Sequence, residues 1–254
     1  MILNTVVTGS ENAPALVLGS SLGQDAHMWD EVLPYLDDFR VIRYEFFGHG
    51  KSDVLPQKMA RTADLGNSII ETLDQLGINK FHIAGLSLGA MMALWVSINY
   101  PQRVRSLTMM CAGSAIRPSA PWHEKAAQVR AGGTAPLVQG TMERWFTPEF
   151  IGQNSPAYQR TVAAFENTNA LGYAQCCEVI ADLDCRPHLQ DLQVPAAIVH
   201  AEYDGTLPPA AAAELATQLH ARTYFVPGAA HLAAVEQPQA VGEALANFLG
   251  EGEK

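Results

Sequence analysis

The feature that most constrains the fold of this chain is the five-residue stretch Gly85-Leu86-Ser87-Leu88-Gly89. An apolar run at residues 81–84 precedes it, and a longer apolar segment at 90–98 follows it and stops before Pro101. This order is typical of a strand, a sharp turn and a helix. The turn favours glycine because a Cβ at either flank would collide with neighbouring backbone. The sequence therefore predicts that the hydroxyl of Ser87 stands clear of a sheet, at the start of a helix.

The pattern G-x-S-x-G is that of a nucleophile elbow, although a simple glycine–serine turn would give the same letters. The chemistry of an elbow also requires an acid and a base, each just after a strand. Asp204 follows a predicted strand at 196–200, and His231 follows one at 223–226. In open α/β sheets, such strand ends meet at the edge that binds ligands. The order Ser87, Asp204, His231 therefore predicts a catalytic triad in which His231 takes the serine proton and Asp204 orients the imidazole.

Two further features belong to the predicted site. Glu202 lies two residues before Asp204 and is the alternative acid. The tetrahedral intermediate of acyl transfer carries a negative charge that needs hydrogen-bond donors. We expect one donor to be the backbone N–H of Leu88, directly after the serine. We expect the second to be the N–H of Leu22, in the loop Ser20-Ser21-Leu22-Gly23 after an early strand.

Strands and helices alternate through most of the chain. Strands are predicted at 5–9, 15–19, 39–44, 81–84, 104–111, 196–200 and 223–226, and helices at 28–36, 63–76, 90–98, 210–220 and 240–249. This alternation predicts an α/β fold with a mostly parallel, twisted sheet covered by helices on both faces. Residues 116–188 show only helical segments. We therefore expect them to form a helical cap inserted into a core made of 1–115 and 189–254.

Composition limits the class of protein. The chain has 16 Lys and Arg against 26 Asp and Glu, and the net charge of −10 argues against nucleic acid and anionic membrane as partners. The four cysteines, none in a C-x-x-C motif, indicate reduced thiols of a cytoplasmic protein. We find no secretory signal and no apolar segment long enough to span a bilayer. No motif indicates a metal or a cofactor, so we expect neither, and the oligomeric state stays open.

Beyond the predicted triad, five further stretches are distinctive: Ser20-Ser21-Leu22-Gly23, His27-Met28-Trp29-Asp30, Gly48-His49-Gly50-x-Ser52, Arg144-Trp145-Phe146-Thr147-Pro148 and Gly172-Tyr173-Ala174. In these stretches the chain resembles the 3-oxoadipate enol-lactonases of aromatic catabolism, a family of α/β-hydrolases. It implies an α/β-hydrolase fold with a cap, and a serine hydrolase that opens 3-oxoadipate enol-lactone to 3-oxoadipate. Because that small-molecule substrate is anionic, we expect Arg144 and Trp145 to bind it, with Arg130 in reserve.

The chain departs from this family pattern at Glu45-Phe46-Phe47, at Ala181 and at Ala233-Ala234. These departures leave the triad untouched but leave the substrate open. A carboxylesterase, a C–C hydrolase or a cofactor-free perhydrolase would use the same triad. The alternative outside catalysis is a hydrolase-fold binding protein, although a pure binder has no need for all three triad groups.

Overall fold

The computed structural model of the chain describes residues 1–56 and 60–251. The strands in these residues are β1 Thr5–Thr8, β2 Ala15–Gly19, β3 Arg40–Tyr44, β4 Phe81–Leu86, β5 Val104–Met110, β6 Ala196–Ala201 and β7 Arg222–Val226. They form one seven-stranded sheet in the order β1-β3-β2-β4-β5-β6-β7. β1 pairs antiparallel with β3, and the other neighbouring strands are parallel. The predicted mostly parallel sheet is confirmed.

The α-helices flank this sheet and fill the segment between β5 and β6. Those in the described residues are α1 Thr62–Gln75, α2 Leu88–Asn99, α3 Ala120–Gly132, α4 Val138–Trp145, α5 Pro148–Gln153, α6 Pro156–Asn167, α7 Ala170–Asp182, α8 Pro209–Gln218, α9 Ala233–Glu236 and α10 Pro238–Glu251. Within the described ranges, none of the helices combines the length and the apolarity needed to cross a bilayer.

The predicted helix at 28–36 is wrong. The chain instead forms two short 3-10 turns, Ala26–Trp29 and Leu33–Tyr35. Pro34 lies inside the predicted segment, lacks the N–H that a continuing α-helix needs, and disfavours helical backbone at the residue before it. The apolar spacing that suggested a helix still has a physical cause, because Trp29 and Val32 are fully buried in the core.

The central strand of the sheet positions the site. Every residue of β4 is buried, and α2, which follows it after one residue, is buried along most of its length. A parallel strand that is covered on both faces reads as a nearly continuous apolar run, as this one does. The turn between β4 and α2 is thus held by packed structure on both sides.

The segment predicted to be a cap, residues 116–188, lies between β5 and β6 and contains α3 to α7; it is called the cap below. All its residues are described and none belongs to a strand. At its base, an isolated bridge pairs Ala115 with Asp184, and the N–H of Cys185 donates to the carbonyl of Ser114 at 2.9 Å. Asp184 also accepts hydrogen bonds from Arg117 and Arg186. Backbone hydrogen bonds and ion pairs therefore join the two ends of the cap where the chain leaves the sheet and returns to it.

Candidate active site

Ser87 occupies the turn between β4 and α2 with φ 57° and ψ −118°. Residues with a side chain rarely adopt a positive φ, and such strain persists only where the surrounding structure enforces it. The two flanking glycines permit the turn. A Cβ on Gly85 would collide with the backbone of Gly89, and a Cβ on Gly89 would collide with the carbonyl oxygen of Gly19. The steric reason for both glycines is thus confirmed.

Asp204 follows β6 and His231 follows β7, and their side chains meet. The distance between His231 Nδ1 and Asp204 Oδ1 is 2.9 Å, and both residues are buried. Asp204 also accepts hydrogen bonds from the N–H of Thr206 at 2.9 Å and of Leu207 at 3.2 Å. Burial alone would raise the pKa of Asp204, but His231 and these two N–H groups outweigh it and hold the pKa below its usual value. An ionised carboxylate fixes the imidazole with its Nε2 free for proton transfer.

A buried thiol also contacts the carboxylate of Asp204. Burial raises the pKa of Cys111, and the negative charge of Asp204 and a hydrogen bond to it raise the pKa further. The thiol therefore keeps its proton, and its S–H group donates a hydrogen bond to the carboxylate of Asp204. With this bond, the carboxylate is held from several directions at once.

Glu202, the alternative acid, points elsewhere. It is exposed, and its Oε2 accepts a hydrogen bond from the N–H of Gly228 at 2.9 Å. The structure thus places Asp204, and not Glu202, against His231. The two carboxylates differ because the chain turns between them: Glu202 N–H still pairs with Val226 of β7, whereas Asp204 lies beyond that pairing.

The loop after β2 contains the predicted oxyanion donor Leu22. Its neighbours on both sides are fixed: Ser21 N–H lies 3.5 Å from Met28 Sδ, and Gly23 N–H donates to His49 Nε2 at 2.8 Å. Among the residues that the structure describes, no hydrogen bond uses the N–H of Leu22 or of Leu88. Both groups are therefore unused donors, one in the loop and one at the first turn of α2.

The sequence predicts no function for His49, which is the central residue of Gly48-His49-Gly50. It is fully buried, and its Nδ1 lies 2.8 Å from the carbonyl oxygen of Phe47. Burial lowers the pKa of His49 to about 4, so the ring is neutral. Its Nδ1 then carries the proton, which leaves Nε2 as an acceptor for Gly23. His49 thereby holds the loop of Leu22 in place.

A cavity of about 980 Å³ lies between the sheet and the cap. Ser87, Leu22 and His231 line it from the core, and Arg144 and Trp145 line it from the cap. Trp145 packs edge-on against Phe165, with 5.5 Å between ring centroids. The structure thus brings together the three residues of the predicted triad and both first-choice cap residues around one space.

Arg130 is not among the residues that line this cavity. Its Nη2 forms an ion pair of 2.6 Å with Glu178 on α7. Residues that sequence analysis passed over, Trp122 and Lys125, line the cavity from the same helix α3. Arg130 is the fifth residue after Lys125, which places the two about 140° apart around the helix. The two side chains must therefore face different neighbours.

The cap is tied to the loop that carries His231. The carbonyl oxygen of Trp145 accepts a hydrogen bond from Leu232 N–H at 3.0 Å. The buried carboxylate of Glu236 accepts from Thr147 N–H at 2.9 Å and from the Thr147 hydroxyl, and its other oxygen accepts from Ala230 N–H at 2.8 Å. One carboxylate thus joins a cap residue to the residue before His231.

The departures from the family pattern lie outside the cavity wall. None of Glu45-Phe46-Phe47, Ala181 and Ala233-Ala234 is among the described residues that line it. Glu45 instead accepts hydrogen bonds of 2.7 Å from the side chain of Asn4 and from the N–H of Lys51. It therefore organises the turn that carries His49.

Sequence and fold are both similar to those of known proteins. The model of the alpha/beta hydrolase fold family matches residues 14–238. The chain is 32% identical over 248 residues to 3-oxoadipate enol-lactonase 1 of Acinetobacter baylyi, covering 97% of this chain and 92% of that protein. The chain belongs to the 3-oxoadipate enol-lactonase family of α/β-hydrolases.

Solved structures with a similar fold include a hydrolase and an enol-lactonase. A hydrolase from Pseudomonas aeruginosa PA01 has a TM-score of 0.91 and 33% identity, covering 97% of this chain and 93% of its own. The enol-lactonase from Burkholderia xenovorans LB400 has a TM-score of 0.93 and 28% identity, covering 98% and 96%. As a member of the 3-oxoadipate enol-lactonase family, the chain is an ester hydrolase.

Proposed function

We propose that this hydrolase opens a small carboxylated lactone, above all 3-oxoadipate enol-lactone to 3-oxoadipate, through an acyl-enzyme on Ser87. The observation that carries the proposal is the 2.9 Å contact of His231 with Asp204 beside the cavity that Ser87 lines. The substrate is inferred from the relatives, because the chain aligns over nearly its whole length with 3-oxoadipate enol-lactonase 1 of Acinetobacter baylyi.

Ring opening is the first half of the reaction. Ser87 Oγ attacks the lactone carbonyl carbon while His231 Nε2 takes the hydroxyl proton. The carbonyl oxygen becomes an oxyanion, and the N–H groups of Leu22 and Leu88 stabilise it. The bond between the carbonyl carbon and the ring oxygen then breaks. His231 returns the proton to the leaving enol oxygen, and the enol becomes a ketone within the acyl-enzyme.

Hydrolysis of the acyl-enzyme is the second half. A water molecule gives a proton to His231 and attacks the ester carbonyl carbon, and the same two N–H groups stabilise the second oxyanion. The bond to Ser87 Oγ breaks, and the serine regains its proton from His231. The net change is the addition of one water molecule to the lactone, and Asp204 keeps the imidazole oriented throughout.

The cap wall binds the substrate carboxylate in this proposal. Arg144 lines the cavity and offers a guanidinium fork that matches a carboxylate. Trp145 supplies an apolar surface beside it. Arg130, the reserve candidate, pairs with Glu178 and is left out of the proposal. We place the reaction in the cytoplasm, which the four buried free thiols support.

A carboxylesterase is the second candidate, and the size of the cavity favours it. A volume of about 980 Å³ is near the upper end for small-ligand sites and exceeds what a six-carbon lactone fills. Larger acyl or alcohol groups would use the remaining space. The same triad would cleave an open-chain ester by the steps given above.

One panel of rates tests both candidates. We expect kcat/KM for 3-oxoadipate enol-lactone to exceed that for neutral lactones and for open-chain esters by about 100-fold or more. A preference for neutral open-chain esters would replace the lactonase by the carboxylesterase. A fluorophosphonate probe should label the wild-type protein and not Ser87→Ala. A folded wild-type protein that resists the probe would contradict the serine mechanism itself.

A further inference from the structure

Two positively charged side chains of the cap line the active-site cavity, Lys125 on α3 and Arg144 on α4. Arg144 has a place in the proposed function, whereas Lys125 has none. The chain as a whole carries a net charge of −10. Cations that face a cavity of such a protein are therefore informative about the ligand that the cavity accepts.

Neither cation forms an ion pair within the described part of the chain. Several other arginines do, each with a carboxylate: Arg43, Arg103, Arg117, Arg130, Arg160 and Arg186. Arg144 Nη2 donates instead to the hydroxyl of Thr141 at 3.3 Å. Two cap carboxylates, Glu143 and Glu149, also line the cavity, but among the described residues neither forms an ion pair with these cations. Glu143 accepts a hydrogen bond from Gln139 at 2.9 Å. Both cavity cations therefore keep donors and charge available for a ligand.

The ammonium group of Lys125 has a defined position. It lies 4.3 Å from the centroid of the Trp122 ring, one turn earlier on the same helix, and Trp122 also lines the cavity. A cation over an aromatic face is attracted by the ring. The side chain is half-buried, so the ammonium group stays at the cavity wall instead of extending into solvent.

The two cations also act on each other. Burial lowers the pKa of Lys125, the positive charge of Arg144 lowers it further, and only Cys177 opposes them. Among the described residues, no carboxylate contributes to this shift. Two like charges at a partly buried wall repel each other, whereas an anion placed between them attracts both. This pair of cations is thus suited to bind an anionic ligand.

We infer that Lys125 is a specificity-determining residue that forms, together with Arg144, a two-cation subsite in the cap for the carboxylate of the substrate. This inference rests on the proposed function, because it concerns the end of an acyl substrate that is remote from Ser87. Arg144 contributes a fork of parallel N–H donors, and Lys125 contributes a compact charge held by Trp122. The pair selects anionic over neutral substrates.

The first test compares 3-oxoadipate enol-lactone with its neutral methyl ester. In Lys125→Met, we expect the ratio of the two kcat/KM values to fall about tenfold, chiefly through KM of the anionic substrate. Lys125→Arg keeps the charge and should keep most of the ratio. Lys80→Met, at an exposed position before β4, is the matched control and should leave the ratio unchanged. Equal losses on both substrates, or Lys125→Arg as poor as Lys125→Met, would overturn the inference.

A second test does not depend on lactone turnover. Adipate, a dicarboxylate, should inhibit hydrolysis of the neutral ester p-nitrophenyl acetate, and Lys125→Met should raise its inhibition constant about tenfold. An unchanged constant in Lys125→Met would reject the subsite. If the wild-type protein fails to open the enol-lactone while adipate inhibition still depends on Lys125, the proposed function fails and the subsite stands.

Discussion

The two walls of the active-site cavity are built differently. On the core wall, Asp204, His231 and the loop of Leu22 are fixed by hydrogen bonds to neighbouring backbone and by burial. On the cap wall, Lys125 and Arg144 have no carboxylate partner in the described part of the chain. The core wall is thus organised before any ligand arrives. The cap wall also carries the carboxylates of Glu143 and Glu149, but among the described residues neither forms an ion pair with these two cations.

This difference suggests a division of roles, in which the core wall catalyses the reaction and the cap wall selects the substrate. Preorganised groups stabilise charge that develops in a transition state and need no rearrangement when it forms. Unpaired cations instead attract the charge that a substrate carries both before and during the reaction. They therefore stabilise the bound substrate and the transition state about equally, and this uniform binding lowers KM without raising kcat. Substitutions on the core wall should therefore lower kcat, and substitutions on the cap wall should raise KM for anions.

The strongest way to break the core wall is Ser87→Ala. Without the hydroxyl no acyl-enzyme forms, so we expect kcat to fall about 10⁶-fold while substrate binding survives. Steady-state rates and calorimetric binding of the lactone measure the two effects. Ser10→Ala, at an exposed site near the N-terminus, is the control and should retain the wild-type rate. A loss below about 100-fold would mean that another residue is the nucleophile.

The next largest effect should come from Asp204→Asn. The amide leaves the shape of the site but presents the wrong partner to His231, so we expect kcat to fall about 10⁴-fold. Glu202→Gln is the matched control, because Glu202 is exposed and contacts Gly228. Its rate should stay within about twofold of wild type. The opposite result for the two variants would assign the acid to Glu202.

The cap wall is tested by Arg144→Gln. Loss of a charged hydrogen-bond partner should raise KM for the anionic lactone about 10- to 100-fold, with a smaller change in kcat. Arg160→Gln, which removes a cap arginine paired with Glu31 and remote from this cavity, serves as control. If Arg144→Gln lowered kcat for neutral and anionic substrates alike, the proposed division between the walls would not hold.

The smallest expected effect is on stability, and it concerns His49, which holds the loop of Leu22 on the core wall. Burial lowers the pKa of His49 to about 4, whereas an unfolded histidine titrates near 6.5. The unfolded state therefore binds more protons between these values, and stability falls as the pH decreases from about 6.5 to 4. Between pH 7 and pH 5 the loss is about 2 kcal/mol.

Urea unfolding at these two pH values measures the contribution of His49. His49→Gln retains an acceptor for Gly23 N–H and does not titrate, so its difference between pH 7 and pH 5 should be smaller by about 2 kcal/mol. His123→Gln, at an exposed position of α3, should keep the wild-type difference. The same pH dependence in His49→Gln and wild type would exclude a buried neutral His49.

Local sequence patterns predicted most of the fold because each strand has its own signal. Each predicted strand overlaps an observed one, and the apolar runs end close to where the sheet ends. The turn around Ser87 could also be predicted from the sequence, because its glycines are required by contacts within a few residues and with one neighbouring strand. The predicted order of Ser87, Asp204 and His231 followed from the positions of the late strands, and the structure places Asp204 against His231.

The cap side chains could not be predicted in the same way. Lys125 and Arg130 lie on one helix, and both are long cations in a polar stretch of sequence. Only the packing of α3 against α7 turns Arg130 toward Glu178 and leaves Lys125 at the cavity. The prediction of a helix at 28–36 was wrong for a related reason. The apolar residues of this segment are buried by tertiary packing, and they do not form one face of a helix.

The carboxylate of Glu236 has a consequence for protein engineering. It accepts hydrogen bonds from Thr147 in the cap and from Ala230 beside His231. A chimaera that receives only residues 116–188 from a relative would replace Thr147 while it keeps Ala230 and Glu236, so the donor from the cap would no longer come from the same protein as its acceptor. Grafts intended to transfer substrate preference should therefore carry residues 230–236 together with the cap, as one exchangeable unit.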